Sequence, residues 1–277
     1  MFLLRPDPVV EQIYLYCLGL AAARFGITLH AWILLSNHHH VLFRDNRGNF
    51  PDFLQYLHSL TARAINHHLR RRENLWSSDQ ASVVWTVEST DRFGKLLYLL
   101  ANPVAADLVD RVADWPGVCS LAQVLSGEPL RIKRPKFFRE KGKMPAEVEL
   151  RAERIESYTE MAPREWRERI LTELARLETK ARDKRRAENR RVMGRKNVLR
   201  APLDTRPATP EPLGRRRPYI ACKNRGRREL ELDRLRAFRI SYYAALDIWR
   251  SGDHSVVFPE GTFRMRWFGA RTLETAA

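Results

Sequence analysis

Two short stretches of this sequence carry side chains that can do chemistry together. "SNHHHVLF", residues 36–43, sets three histidines in a row. On a strand, side chains alternate, so His38 and His40 share one face and His39 points to the other. Two imidazoles on one face can share a divalent metal, but two ligands do not complete a site. "YLLANPVAADLV", which contains Tyr98 and Asn102, offers that pair at i and i+4 of a helix, on one face about 6 Å apart. An asparagine amide oxygen is a hard ligand suited to Mg²⁺ or Mn²⁺. A tyrosine beside such a metal can attack a phosphate that the metal polarises. Each piece also has a plainer reading. Tyrosine on an apolar helix position is commonly core, asparagine before proline is commonly a helix stop, and a histidine run can be a structural cluster.

These residues need elements to hold them. Residues 8–25 have helical periodicity and stop at Gly26. "ITLHAWILL" (27–35) reads as a buried strand, Ser36-Asn37 as a tight turn, and 38–43 as the antiparallel return. From Pro51, "PDFLQYLHSLTARAINHHLRRR" is an amphipathic helix with an arginine run in its last turn. "SVVWTVE" (82–88) reads as another strand, and "STDRFGKLLYLLAN" as a helix capped by Ser89 or Thr90 and stopped at Pro103. Further on, "PREWRERILTELARLETKARDKRRAENRRVMG" reads as one long helix closed by Gly194, and residues 200–218 as a proline-rich linker. "RRELELDRLRAFRISYYAALDIWRSG" is a second amphipathic helix. In "VVFPEGTFRMRWFG" the rings of Phe263, Trp267 and Phe268 are expected to pack on the core sooner than to stack on bases.

Composition bounds the function classes. At 277 residues and 44% apolar content, the chain can bury one large core or two smaller ones and is not a disordered segment. Cys17, Cys119 and Cys222 are too far apart for a zinc pattern and too few for a disulfide framework, which fits a reducing compartment. The apolar stretch "IYLYCLGLAAARFGI" is too short to span a bilayer. No membrane partner is expected, and the location is expected to be cytoplasmic and nucleoid-associated. Residues 1–128 are nearly neutral, and the remainder carries the whole formal excess of +16. A basic half of this size points to an acidic partner, most often nucleic acid, over a merely solvated helical surface. The charge step suggests a catalytic domain at 1–128 and a basic, mainly helical extension at 129–277.

"NHHH" after an apolar strand, followed by "YLLANPVAADLV" and "DWPGV", resembles the single-tyrosine HUH transposases, within them the REP-associated tyrosine transposases related to the insertion-sequence 200 enzymes. The resemblance covers roughly residues 2–120. It implies that His38, His40 and Asn102 hold a divalent Mg or Mn and that Tyr98 is the nucleophile. The implied activity is metal-dependent cleavage and strand transfer on single-stranded DNA with hairpin elements, through a 5′-phosphotyrosine. Arg63, Arg70, Arg71, Arg72 and Lys95 are candidate DNA contacts. His39 stands where the family has a bulky apolar residue, so it needs a polar partner or solvent. The implied fold is α+β: a small antiparallel ferredoxin-like sheet with helices on one face, and then the helical extension.

The family's first strand, ahead of the stretch that reads "FLLRPDPVVEQ" here, is expected to be missing from the chain as it starts, either because the true start lies upstream or because this is a truncated copy. Strand 38–43 is therefore expected to have an open edge, or a substitute neighbour such as 82–88 or a second copy in a homodimer. Such a truncation would impair activity and solubility. The alternative function is a non-catalytic nucleic-acid-binding protein, a truncated or decayed transposase.

Overall fold

The computed structural model describes residues 1–77, 81–206 and 219–273. In chain order the elements are α1 (Pro8–Phe25), β1 (Ile27–Leu34), β2 (His39–Asp45), α2 (Phe50–His68), β3 (Trp85–Thr86), α3 (Ser89–Leu100), α4 (Asn102–Ala105), α5 (Leu121–Ser126), β4 (Leu130–Lys133), β5 (Glu147–Leu150), α6 (Pro163–Ala187), α7 (Arg195–Arg200), β6 (Ile220–Ala221), α8 (Arg225–Arg250), β7 (Val257–Phe258) and β8 (Arg271–Thr272). The chain is α+β, about half helical, and its sheets have two strands each. It divides into two compact units: Met1–Ala81 with Arg92–Arg215, and Ser82–Asp91 with Arg216–Ala277.

The first unit is built around α1. Asp7 caps it by accepting from the Val9 and Val10 amides, and Gly26 ends it in the left-handed conformation, φ 68°. Ten of its 18 residues are buried, on every face, as expected of a helix that is apolar all round. It packs on α2, on the β1–β2 hairpin and on the β4–β5 pair. At Gly19 a Cβ would sit 2.8 Å from Val148 Cγ2 of β5, so only glycine allows that approach.

The hairpin forms as the sequence indicates. The Leu35 amide donates to the His38 carbonyl at 2.8 Å across Ser36-Asn37, and Ile33 faces His40. All residues of β1 except Thr28 are buried, whereas none of β2 is. Among the described residues β2 pairs with β1 alone, so its outer edge is open. Residues 1–6 add no strand; the Leu4 amide donates to the Ser36 carbonyl and the Phe2 amide to Leu203.

Residues 82–88 are not the substitute neighbour. Only Trp85–Thr86 is strand, and it runs parallel to β6 in the second unit. Val83 and Trp85 are exposed, so the apolar run that suggests a buried strand has no core to face. Helix α2 ends at His68, and Arg70 takes φ 53°; Arg70–Arg72 therefore follow the helix instead of closing its last turn.

The long basic helix is also shorter than its pattern suggests. α6 stops at Ala187 because Asn189 adopts φ 49° and the Arg190 amide reaches back to the Arg185 carbonyl at 2.9 Å, a Schellman closure on asparagine. Gly194, expected as its stop, instead precedes α7. The linker expected at 200–218 falls largely outside the described residues. Residue 128 is not a packing boundary. Val148, Leu150, Ile155, Trp166 and Ile170 belong to the same core as α1 and β1. The charge step marks surface composition, and surface charge does not report where cores divide.

Arg185 shows what the basic half does structurally. At 4% exposed, it donates to the Val104 carbonyl of α4 at 3.3 Å and pairs with Asp110 at 2.8 Å and Asp107 at 3.4 Å. Arg190 pairs with Asp107 from the other side. Elsewhere on α6 the charges pair locally, as Arg164 does with Glu168 and Arg176 with Glu173.

The second unit is small. α8 carries Ala245 into a core with Phe258, Met265 and Ala270, supported by Tyr242, Leu246 and Trp249. The expectation that Trp267 and Phe268 pack inward is not met; they are 56% and 61% exposed. Met265 takes the inward position in that short turn instead.

Arg185 gives a direct test of the first unit. Arg185→Met removes a buried cation together with its bonds to the Val104 carbonyl and Asp110, so unfolding free energy should fall by about 3 kcal/mol, the low end for breaking a buried pair because Arg190 still pairs with Asp107 and Asp110 is half exposed. Chemical denaturation measures it, and a loss below about 1 kcal/mol would show the cluster to be a surface pair.

Candidate metal centre

The centre sits where the hairpin turn meets the junction of α3 and α4. His38, at the turn, and His40, on β2, face the same side, with rings 4.8 Å apart at 90° and Nε2 atoms 3.1 Å apart. α3 ends at Leu100, and Asn102 opens the short α4 with Pro103 behind it. Asn102 is buried, and its Nδ2 lies 3.2 Å from His40 Nε2. The Tyr98 ring lies 6.1 Å from the His40 ring and is 54% exposed. The structure thus brings His38, His40, Asn102 and Tyr98 together.

The donor set fits a divalent cation. His38 Nδ1 meets Asn37 Oδ1 at 2.7 Å, which holds the proton on Nδ1 and leaves Nε2 as an acceptor. His40 Nε2 lies 3.2 Å from Asn102 Nδ2 and 3.1 Å from His38 Nε2, so two ring nitrogens face each other. For zinc, metal–nitrogen bonds of about 2.0–2.1 Å at roughly 90–110° put ligand nitrogens about 2.9–3.4 Å apart, the spacing that two imidazoles on one divalent ion adopt. Turning the Asn102 amide by half a rotation exchanges Nδ2 for Oδ1 and supplies the oxygen ligand. Burial, then His38, then Lys95, push the His40 pKa down to about 4, so the ring is neutral, as a ligand must be. An acid limit set by His40 lies well below the ordinary histidine range.

His39 points the other way and is not left to solvent. Its Nδ1 meets the Tyr14 hydroxyl of α1 at 2.9 Å, and its Nε2 meets His58 Nε2 of α2 at 2.9 Å. The His58 ring stacks near Trp76, whose Nε1 donates to the His58 carbonyl at 2.9 Å. Sequence reasoning misses this half-buried chain through Tyr14, His39 and His58, although it carries a signal for it. A histidine in an apolar position needs a partner, and His58 sits within the apolar stripe of Phe53, Leu57 and Leu60. Burial, with His58 next, holds His39 down at about 3.

The other candidate residues divide. Lys95 belongs to the centre, its Nζ 5.6 Å from the Tyr98 ring centroid. Arg70 and Arg72 are exposed beyond α2, Arg63 is exposed on α2 with Nε toward the Ser59 carbonyl, and Arg71 pairs with Glu73 at 2.6 Å. Asp7 at the start of α1 lies 3.4 Å from His68 of α2, and Leu4 bonds Ser36 of the turn. Arg70–Arg72 therefore lie at the histidine end of the hairpin.

A second group of three candidate ligands lies in the second unit. Glu88, Asp91 and Cys222 place ligand atoms within 4.8 Å of one another. Asp91 already accepts from the Lys223 and Glu88 amides, and Arg227 pairs with Glu88 at 3.3 Å. Burial and then the neighbouring Asp91 raise the Cys222 pKa, which disfavours the thiolate that metal binding needs.

Comparison of the chain with protein-family models, curated proteins and solved structures finds no match.

The depressed histidines fix a pH signature. Above pH 6.5 His39 is neutral folded or unfolded. As pH falls, the unfolded chain takes its proton near 6.5, whereas the folded chain resists until about 3. His30, buried with Nδ1 on the Glu153 carbonyl, is lowered mainly by burial and acts in the same direction. Stability should therefore drop as pH falls through this window, by up to about 1.4 kcal/mol per pH unit for His39 alone. Melts in EDTA at pH 7.5, 6 and 5 measure it; a flat profile would mean the ring is solvated.

Proposed function

We propose that this chain cleaves and rejoins single-stranded DNA through a 5′-phosphotyrosine on Tyr98, as its resemblance to single-tyrosine HUH transposases implies. The observation that carries the reading is the convergence of His38, His40 and Asn102 beside Tyr98 from two separate stretches of sequence. The hairpin with α1, α2 and α3 is read as part of a ferredoxin-like catalytic domain, and hairpin-forming single strands as the substrate.

His38, His40 and Asn102 would hold Mg²⁺ or Mn²⁺, which when bound polarises a non-bridging oxygen of the scissile phosphate. Tyr98 stands more than half exposed, where a strand can reach it. Its oxygen forms a bond to phosphorus as the bond to the 3′ oxygen breaks. The phenolic proton passes to solvent, and the departing oxygen takes one up as a 3′-OH. One phosphoester replaces another, so the later joining step needs no external energy source. Lys95 sets positive charge beside the ring, where the phosphate and the developing phenolate lie. His40, kept neutral by burial, stays a ligand across the physiological range.

Incubation with hairpin-bearing single-stranded DNA and Mn²⁺ should give a covalent protein–DNA band on a denaturing gel. Tyr98→Phe should abolish the band and leave DNA binding largely intact. His40→Ala should cost more than the roughly 10–100-fold that loss of an outer-shell partner costs at a metal site. A band from Tyr98→Phe would remove Tyr98 as nucleophile and turn attention to Tyr56, whose ring packs on Phe25 under Arg24. DNA bound with no band in the unaltered chain selects the non-catalytic reading.

A further inference from the structure

At the C-terminal end of α6, five guanidinium groups converge. Arg182, Arg185, Arg186, Arg190 and Arg191 line an open basin of about 380 Å³ whose acidic member is Asp110. The chain makes this basin by its own turn. Asn189 in the left-handed conformation ends the helix, and so Arg190 and Arg191 turn back toward the side chains of the preceding helical turn.

Two of the five cations are neutralised. Arg185 is held by Asp107 and Asp110, and Arg190 by Asp107 and Glu188. Arg182, Arg186 and Arg191 make no ion pair among the described residues, although acidic neighbours pair other arginines along α6. Three uncompensated like charges in one concavity repel, and an anion removes that repulsion. Guanidinium groups match phosphate oxygens in pairs, as they do carboxylates, and phosphate is the anion that the proposed substrate presents. The floor of the basin is Arg185, which also holds the Val104 carbonyl of α4, the short helix that Asn102 opens.

We infer that this basin holds adjacent phosphodiester groups of the single-stranded DNA substrate, up to one for each uncompensated arginine, and anchors the strand next to the segment that carries Asn102. The inference rests on the reading of the centre as a DNA-cleaving site, and it gives that substrate a second point of attachment.

The test is equilibrium binding of a fluorescent single-stranded hairpin oligonucleotide to the full chain in EDTA, so that no cleavage intervenes, across a salt series. Replacing Arg182, Arg186 and Arg191 together by glutamine should make the slope of log K against log salt shallower by about 0.7 for each phosphate that is no longer neutralised, so by roughly 2 if all three arginines contribute. A control removes the same charge from Arg225, Arg234 and Arg236 of α8, which acidic neighbours pair; its slope should change little. An unchanged slope in the basin variant, or an equal change in the control, overturns the assignment. If pyrophosphate raises the melting temperature of the unaltered chain but not of the basin variant, and the DNA slope is unchanged, the basin takes free phosphate and the DNA assignment fails. Should the triple variant not fold, Arg186→Gln alone, at an exposed position, should give about a third of the effect. The covalent-band assay is separate: a band with no slope change sinks the basin alone, and a slope change with no band sinks the cleavage reading alone.

Discussion

A β-strand cannot turn neighbouring side chains to the same side, and the histidine run depends on that constraint. Because His39 must face α1 and α2, His38 and His40 must face α3 and α4. The inward residue is held by Tyr14 and His58 and the outward pair by Asn37 and Asn102. A slip of one residue in the pairing with β1 would exchange the two sets. It would bury two imidazoles where one is accommodated and leave the Tyr14 hydroxyl without its partner. The half-buried polar chain therefore costs stability relative to an apolar core and fixes the register on which the outward-facing pair depends.

The other half of the centre depends on helix α6. Asn102 opens a helix of only four residues, too short to hold its own position. Arg185 supplies the support by binding the Val104 carbonyl and the acidic residues that follow. The Met193 and Gly194 amides add to it by donating to the Asp107 and Leu108 carbonyls at 2.8 and 2.9 Å. The basic half of the sequence is thus not an appendage to a finished N-terminal domain. Part of its charge completes the first unit, part pairs along its own helices, and part remains uncompensated in the basin.

Local elements are legible in the sequence, and long-range pairings are not. The hairpin, its two-residue turn and the two facing histidines follow from alternation and from Ser36-Asn37. The approach of Tyr98 and Asn102 rests on resemblance, since no spacing rule says that a helix sixty-odd residues away meets a hairpin. The strand expected at 82–88 is confined to Trp85–Thr86, because an apolar run looks the same whether it faces a core or a small exposed ribbon. The end of α6 escapes the pattern because Asn189 stops the helix five residues before Gly194, the position a glycine rule selects. The boundary at 128 fails for a different reason: charge is sorted on surfaces, while α1 is buried by β5 from beyond that point.

The open edge of β2 ties these observations together. A strand with two neighbours is held on both sides by its backbone, whereas β2 has β1 on one side only among the described residues. Seven of the eight residues of β1 are buried and none of β2 is, so burial holds the first strand far more firmly than the second. The side chains of β2 make up the difference. At one end His39 is bonded to both α1 and α2. At the other, Arg44 bonds Asn46 at 2.8 Å and Glu156 at 2.8 Å, while Asp45 accepts from the Phe50 amide at 2.7 Å and so fixes the start of α2. Charged residues at that end also make the edge a poor template for another strand. An edge secured by side chains instead of a backbone ladder keeps β2 in register while its outer backbone stays without a strand neighbour among the described residues.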